Sequence, residues 1–226
     1  VAELQQALPI PSQVIDTVDG QKLTVDQRHS YAKNLYSPPY PFALRNAEIA
    51  CFQSHIKAWQ TLLDSDNDAA LIIEDDVKLD MAVFSKAFEL AKSQLNHGYI
   101  RFPRADKEKP SRQSRPLSKH RGINLFLPKV VGLGTQAQLV SRAAATQLLS
   151  ATRQFDRPVD TFLQMHWHAG VSPQVVYPCG AYEHHQELGG STIKGHKSLW
   201  QRLHREIMRP IYRHRILRES KRNHTI

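Results

Sequence analysis

Ile49, Phe52, Ile56, Trp59 and Leu63 recur at intervals of three and four residues. On a helix that spacing gathers them on one apolar face. The predicted helix starts near Asn46, a capping residue type, with Glu48 in the first turn where a negative charge suits the dipole. A polar turn over residues 64–68 follows. The short apolar run Ala69-Ala70-Leu71-Ile72-Ile73, bounded on both sides by charge, has the pattern of a strand buried on both faces. It stops at Glu74-Asp75-Asp76. Beyond it the pattern predicts a helix over residues 80–95 with Phe84, Phe88 and Leu95 on its apolar side. Strands follow over 99–102, 129–131 and 136–140, then an Ala-rich helix capped by Ser141 and running to about residue 151, and a strand over 171–177. Ahead of these lie a short helix over 2–8, a strand over 13–16, a turn at Asp19-Gly20 and a proline-stiffened connector over 37–41. Residues 103–128 are basic and aperiodic and read as a long loop; residues 184–190 read as a loop too. Strands alternating with helices predict an α/β sandwich with a mostly parallel sheet.

Composition narrows the class. The chain has 226 residues, 41% hydrophobic and 23% charged, a globular balance that excludes disordered, collagenous and disulfide-scaffold proteins. No apolar run reaches the roughly 18 residues of a membrane span. Cys51 and Cys179 lie far apart without metal-type spacing, which fits a reducing compartment. The first residues show no basic-then-apolar leader, and Val1 in place of Met suggests a chain that begins inside a longer reading frame.

The net charge is +9, and its placement matters more than its size. Residues 194–226 carry ten basic residues against Glu206 and Glu219, so residues 1–193 are almost neutral. This predicts a globular domain over 1–193 and a basic tail over 194–226. In the tail Leu199, Trp200, Leu203, Ile207 and Ile211 share one side of a helix whose other positions are largely Arg, Lys and His. Such a helix suits an anionic membrane surface. The alternatives are a helix packed on the body with a solvated basic face, and a nucleic-acid contact, for which no zinc-finger spacing or RNA-binding aromatic motif is present.

The candidate chemistry centres on Glu74-Asp75-Asp76. Adjacent carboxylates at the carboxyl end of a buried strand are costly unless a cation neutralises them, and a hard ion such as Mn²⁺ or Mg²⁺ shared with a diphosphate does so. Residues i and i+2 point the same way, so Glu74 and Asp76 are the metal candidates while Asp75 faces elsewhere. The bland alternative is a solvated acidic turn.

Four segments, in order, carry a family resemblance: Glu48-Ile49-Ala50-Cys51-Phe52-Gln53-Ser54-His55, Leu71-Ile72-Ile73-Glu74-Asp75-Asp76-Val77, Gly134-Thr135-Gln136-Ala137-Gln138-Leu139-Val140-Ser141 and Pro158-Val159-Asp160. They resemble the motifs of glycosyltransferase family 25, the bacterial lipopolysaccharide and lipooligosaccharide galactosyltransferases, across roughly residues 13–193. The resemblance implies a GT-A-type nucleotide-sugar-binding α/β/α sandwich, an acidic motif that binds Mn²⁺ and the UDP diphosphate, and inverting transfer, typically of galactose from UDP-galactose. It implies donor-binding roles for Ser54, His55, Asp75, Gly134 and Thr135. His55 alone reads as a core-edge histidine, and Gly134-Thr135 as a turn between strands. An inverting transfer needs a carboxylate base; Asp160 is the candidate, against a role as helix cap, with Glu183 and Glu187 as alternatives. His184 is the candidate for a later metal or diphosphate ligand. Two departures stand out: the family opens with a strand bearing Asn-Leu and an Arg-rich turn, which Val1 lies beyond, and Gln138 replaces a frequent Tyr, which is expected to alter donor contacts.

The expectation is a glycosyltransferase on the cytoplasmic face of the inner membrane, building a lipooligosaccharide or related surface glycan. The rivals are a catalytically silent relative and a basic membrane- or nucleic-acid-binding protein whose acidic strand end is structural.

Overall fold

The computed structural model describes residues 1–94, 98–103, 109–183 and 199–223, with side chains of the last segment described from His204 onward. In chain order the elements are helices α1 (Ala2–Ala7), α2 (Val25–His29) and α3 (Asn46–Leu63), strands β1 (Ala69–Ile73) and β2 (Val77–Leu79), helix α4 (Met81–Ser93) and strands β3 (Tyr99–Arg101), β4 (Arg115–His120), β5 (Ile123–Leu127) and β6 (Ala137–Ser141). Helices α5 (Arg142–Ala151), α6 (Val159–Leu163) and α7 (His166–Ala169), strands β7 (Gln174–Tyr177) and β8 (Ala181–Glu183), and helix α8 (Leu199–Arg222) complete them.

The main sheet runs β1-β6-β3-β7-β5-β4, with β2 and β8 forming a separate pair. Among the described strands of this sheet only β3 and β7 pair in parallel; the other neighbours run antiparallel. The expected mostly parallel sheet is therefore corrected to a mainly antiparallel one. Strand direction depends on how far each connection travels, which a local hydrophobic pattern does not record. β1 lies at the sheet edge and is half-buried along its length, not enclosed on both faces.

Alternate residues of the central strands face two cores, as the period of two requires. Tyr99 and Val140 join Phe52 and Trp59 of α3, Leu148 of α5 and Phe162 of α6 on one face. Ile100 and Leu139 join Phe84 and Phe88 of α4 on the other. Helices thus cover both faces of the sheet. The stripe on α3 falls as expected, with Ile49, Phe52 and Trp59 buried and Phe52 stacked on Phe155 at 3.9 Å.

Several local expectations change. Residues 13–16 and 129–131 are not strands, and Asn46 is the first helical residue rather than the cap. The entry of α3 is held by Glu48, whose carboxylate accepts from the Arg45 N–H at 2.8 Å and from its guanidinium. Residues 115–127, expected as loop, form the β4–β5 hairpin, turned by Arg121 and Gly122 at φ 47° and 82°. Two consecutive positive φ values match the right-handed twist of a tight hairpin. The exposed, basic and Pro-containing edge strand β4 masks the alternation that would have revealed it.

Helix α8 packs on the body. Tyr212, Ile216 and Ser220 are buried, while Ile207 and Ile211 are 51% and 40% exposed. The fully buried Arg157 donates to Tyr212 Oη at 2.7 Å, and Ser220 Oγ donates to the Lys129 carbonyl at 2.5 Å. The side chains of Leu199, Trp200 and Leu203 lie outside the described residues. Among the described residues no helix is long and apolar enough to cross a membrane.

Candidate active site

The site is organised by the loop that enters β6. Gly134 sits at φ +97°, a backbone conformation that L side chains rarely adopt, so the turn favours glycine. Arg101, buried in β3, donates from Nη2 to the carbonyls of Leu133 and Gly134 at 3.1 and 2.9 Å. With those carbonyls held inward, the Gly134 N–H donates to Asp160 Oδ2 at 3.1 Å and the Thr135 hydroxyl donates to Glu74 Oε1 at 2.7 Å. Two carboxylates remote in sequence are thereby anchored on adjacent residues.

Glu74 continues from β1, and its N–H donates to the Gln136 carbonyl at 2.8 Å. His55 of α3 places Nε2 3.4 Å from Glu74 Oε1. Burial alone would raise the Glu74 carboxyl, but the hydrogen bond from His55, aided by the Thr135 hydroxyl, outweighs it and holds the group below its ordinary value. Behind His55 stands the fully buried Gln138, whose Nε2 lies 3.1 Å from His55 Nδ1.

Asp160 lies in the first turn of α6, with Pro158 at the cap position. Its Oδ1 accepts from the Thr161 N–H at 2.7 Å, so it does part of a cap's work from inside the helix. Oδ2 receives the Gly134 bond and keeps further lone-pair capacity.

Cys51 of α3 lies close enough to these carboxylates to feel their charge. The residue is open to solvent, yet surrounding protein pushes its thiol up to about 12, with the charges of Glu74, Asp160 and Glu48 adding to the effect. Tyr40 is raised as well, first by burial and then by Glu48 and Asp160. It packs edge-on against Tyr212 at 5.4 Å between ring centres, which brings α8 up to this side of the site.

The predicted residues separate as follows. Glu74, His55, Thr135, Gly134 and Asp160 form one connected set. Asp75 is exposed and Asp76 half-buried, so the acidic triplet divides as its alternation implies. Ser54 turns elsewhere: its hydroxyl donates to the Ala50 carbonyl and accepts the Val18 N–H, both at 2.9 Å, pinning the N-terminal segment. β8 ends at Glu183, paired with Val77 next to Asp76; the Glu183 side chain, His184 and Glu187 lie outside the described residues. Gln138 is fully buried and backs His55 from the core. Arg101 and Tyr99 were missed, although an arginine in the otherwise apolar run Tyr99-Ile100-Arg101-Phe102 was a signal for Arg101. Among the described residues no three His, Cys, Asp or Glu side chains form a ligand set. Glu74 and Asp76 carry hard oxygen donors of the kind Mn²⁺ or Mg²⁺ takes.

The mixed α/β architecture, with helices on both faces of a mainly antiparallel sheet, is consistent with a glycosyltransferase fold. Residues 1–163 match Glycosyltransferase family 25 (LPS biosynthesis protein), and the chain belongs to that family. It is similar to procollagen galactosyltransferase 2 of Mus musculus, at 30% identity over 95 residues, covering 38% of this chain and 15% of that protein. It is also similar to procollagen galactosyltransferase 1 of Danio rerio, at 27% over 164 residues, covering 68% of this chain and 26% of that protein. The chain therefore spans only a minor part of these relatives. The family match includes Glu74, Asp76 and Asp160 and ends before α8.

Proposed function

We propose that this chain is an inverting galactosyltransferase that moves galactose from UDP-galactose to a glycan acceptor of the lipooligosaccharide or lipopolysaccharide type, on a GT-A-type domain. The observation that carries the reading is the anchoring of Glu74 and Asp160 on Thr135 and Gly134 at one site. Asp160 Oδ2 takes the proton of the acceptor hydroxyl. The acceptor oxygen then attacks the anomeric carbon from the face opposite the diphosphate, the bond from that carbon to the diphosphate oxygen breaks, and UDP leaves with the electron pair. Glu74 and Asp76 would hold Mn²⁺, which when bound supplies charge neutralisation at the leaving diphosphate. Asp75, exposed beside them, and the Gly134-Thr135 backbone border the donor.

The test is a panel of UDP-sugars with Mn²⁺, Mg²⁺ or chelator, assayed for hydrolysis and for transfer to lipooligosaccharide and to a procollagen-type peptide. UDP-galactose should give metal-dependent turnover and transfer to the lipooligosaccharide. Turnover of a different sugar nucleotide corrects the donor, transfer only to the peptide corrects the acceptor, and no turnover of any overturns the enzymatic reading. The outward face of α8 supports an anionic membrane surface as a further partner, at the cytoplasmic side of the inner membrane where a lipid-linked acceptor is elongated. There Ile207 and Ile211 stand exposed on one side with Arg215, Arg218 and Arg222.

A further inference from the structure

The carboxylate of Glu74 is held by a chain of buried polar groups that reaches through the sheet core. Gln138 is entirely buried in β6. Its Nε2 lies 3.2 Å from the Thr135 carbonyl oxygen, which can only accept, so this atom is the amide nitrogen and carries the protons. Its Oε1 accepts from the hydroxyl of Tyr99, also fully buried. The amide therefore has one orientation. Of its two N–H groups one serves Thr135 and the other faces His55 Nδ1 at 3.1 Å, which leaves Nδ1 as an acceptor. A neutral imidazole whose Nδ1 accepts carries its proton on Nε2. Nε2 is the atom that faces Glu74 Oε1.

We propose that Tyr99 and Gln138 are positioning residues that select the Nε2–H tautomer of His55, and through it fix the orientation of the Glu74 carboxylate at the site. Both side chains are fully buried, and each acts through the next. The importance of that carboxylate to sugar transfer rests on the proposed function; the tautomer does not. Two features make the arrangement a specific device rather than ordinary core satisfaction. The Thr135 residue that orients the amide through its carbonyl also donates its hydroxyl to Glu74 Oε1, so the loop enforces both ends of the chain. And with Tyr99 and Thr135 fixing the amide, the other tautomer would set an N–H of Gln138 against the Nδ1–H of His55, leaving two buried donors opposed.

The tautomer can be read directly by long-range ¹H–¹⁵N correlation of the His55 ring in the labelled full chain at neutral pH. The expected spectrum shows a single neutral form with the proton on Nε2. A proton on Nδ1, or on both nitrogens, overturns the proposal, and this measurement needs neither a variant nor turnover. Tyr99→Phe, which removes one of the two partners that order the amide and leaves it to the 3.2 Å bond with the Thr135 carbonyl alone, should give a mixture of tautomers, and Gln138→Met should do the same. The double variant should add little to either, because both break one chain. A His55 spectrum unchanged in folded Tyr99→Phe also overturns it. In parallel, both single variants should raise the KM for UDP-galactose with a smaller effect on kcat. If the wild type turns over no sugar nucleotide while the tautomer is as expected, the functional reading fails and the positioning chain stands; wild-type turnover with normal kinetics in both folded variants overturns the link to Glu74.

Discussion

An Asp160→Asn side chain can still accept the Gly134 N–H through its amide oxygen, but it no longer takes a proton. The variant should therefore keep its loop and its affinity for UDP-galactose while transfer falls by roughly 10²–10⁴. Steady-state kinetics with calorimetric donor binding checks this, and near-normal turnover would return Asp160 to a purely structural place in α6. Asp76→Ala is expected to lose Mn²⁺-dependent donor binding with the fold intact; undiminished metal-dependent affinity removes Asp76 from the metal assignment. Cys51 reports its surroundings, burial first and the neighbouring carboxylates second. With its thiol held near 12, the reactive thiolate at pH 8 should be roughly a thousandfold scarcer than for an ordinary exposed cysteine. Alkylation by iodoacetamide, followed by mass spectrometry, should be correspondingly slow, and labelling at the rate of a free thiol would argue against the crowding of this thiol by protein and carboxylates. At this scale the sequence made Glu74 and Asp76 visible because charge ended an apolar run. The closure of Asp160 on Gly134, the partners of Arg101 and the inward turn of Gln138 were not visible, because each depends on which parts of the chain become neighbours; only the charge of Arg101 in an apolar run left a signal.

Elements were legible where one face is buried and period decides. The helices α3, α4 and α5 were foreseen to within a few residues, and Ser141 caps α5 as expected by accepting the Ala144 N–H. The β4–β5 hairpin was hidden by its exposed basic edge, and strand direction lies outside what a local pattern encodes. The docking of α8 was legible only as an alternative, because Tyr212, Ile216 and Ser220 do not form an apolar stripe. The grip instead depends on a hydroxyl. Burial pushes the Tyr212 hydroxyl up to about 12 despite the opposing pull of Arg157, whereas a tyrosine in the unfolded chain titrates near 10. The folded state thus retains this proton longer, so the contribution is complete below pH 10 and is lost as the pH rises from about 10 to 12. Tyr212→Phe removes it. The variant should be less stable at neutral pH by about 1–3 kcal/mol, since Arg157 loses a buried acceptor, and should lose less than the wild type between pH 10 and 12. Urea midpoints across that range test both statements; parallel curves would show that Tyr212 does not supply the alkaline sensitivity.

For the whole molecule, the packing of α8 decides how membrane association must be tested. Removing residues 194–226 would strip Tyr212 from Arg157 and Ile216 from the core, so lost vesicle binding in a truncated chain would not distinguish docking from unfolding. Replacing exposed charges leaves that grip in place. Arg215, Arg218 and Arg222 are exposed, and the helix turns them away from the buried Tyr212, Ile216 and Ser220. Each basic residue near an anionic surface contributes about 1 kcal/mol, so changing all three to Gln should reduce binding to phosphatidylglycerol-containing vesicles by roughly two orders of magnitude at low salt. Thermal stability and UDP-galactose turnover in solution should be unaffected. The exposed Ile207 and Ile211 supply the part that salt does not screen, so Ile207→Ala should weaken binding even at high ionic strength. Sedimentation with anionic and neutral vesicles at two salt concentrations separates these terms. If the triple Gln variant sediments as well as the wild type, or if neither form binds vesicles, α8 packs beside the site and the membrane is not its partner.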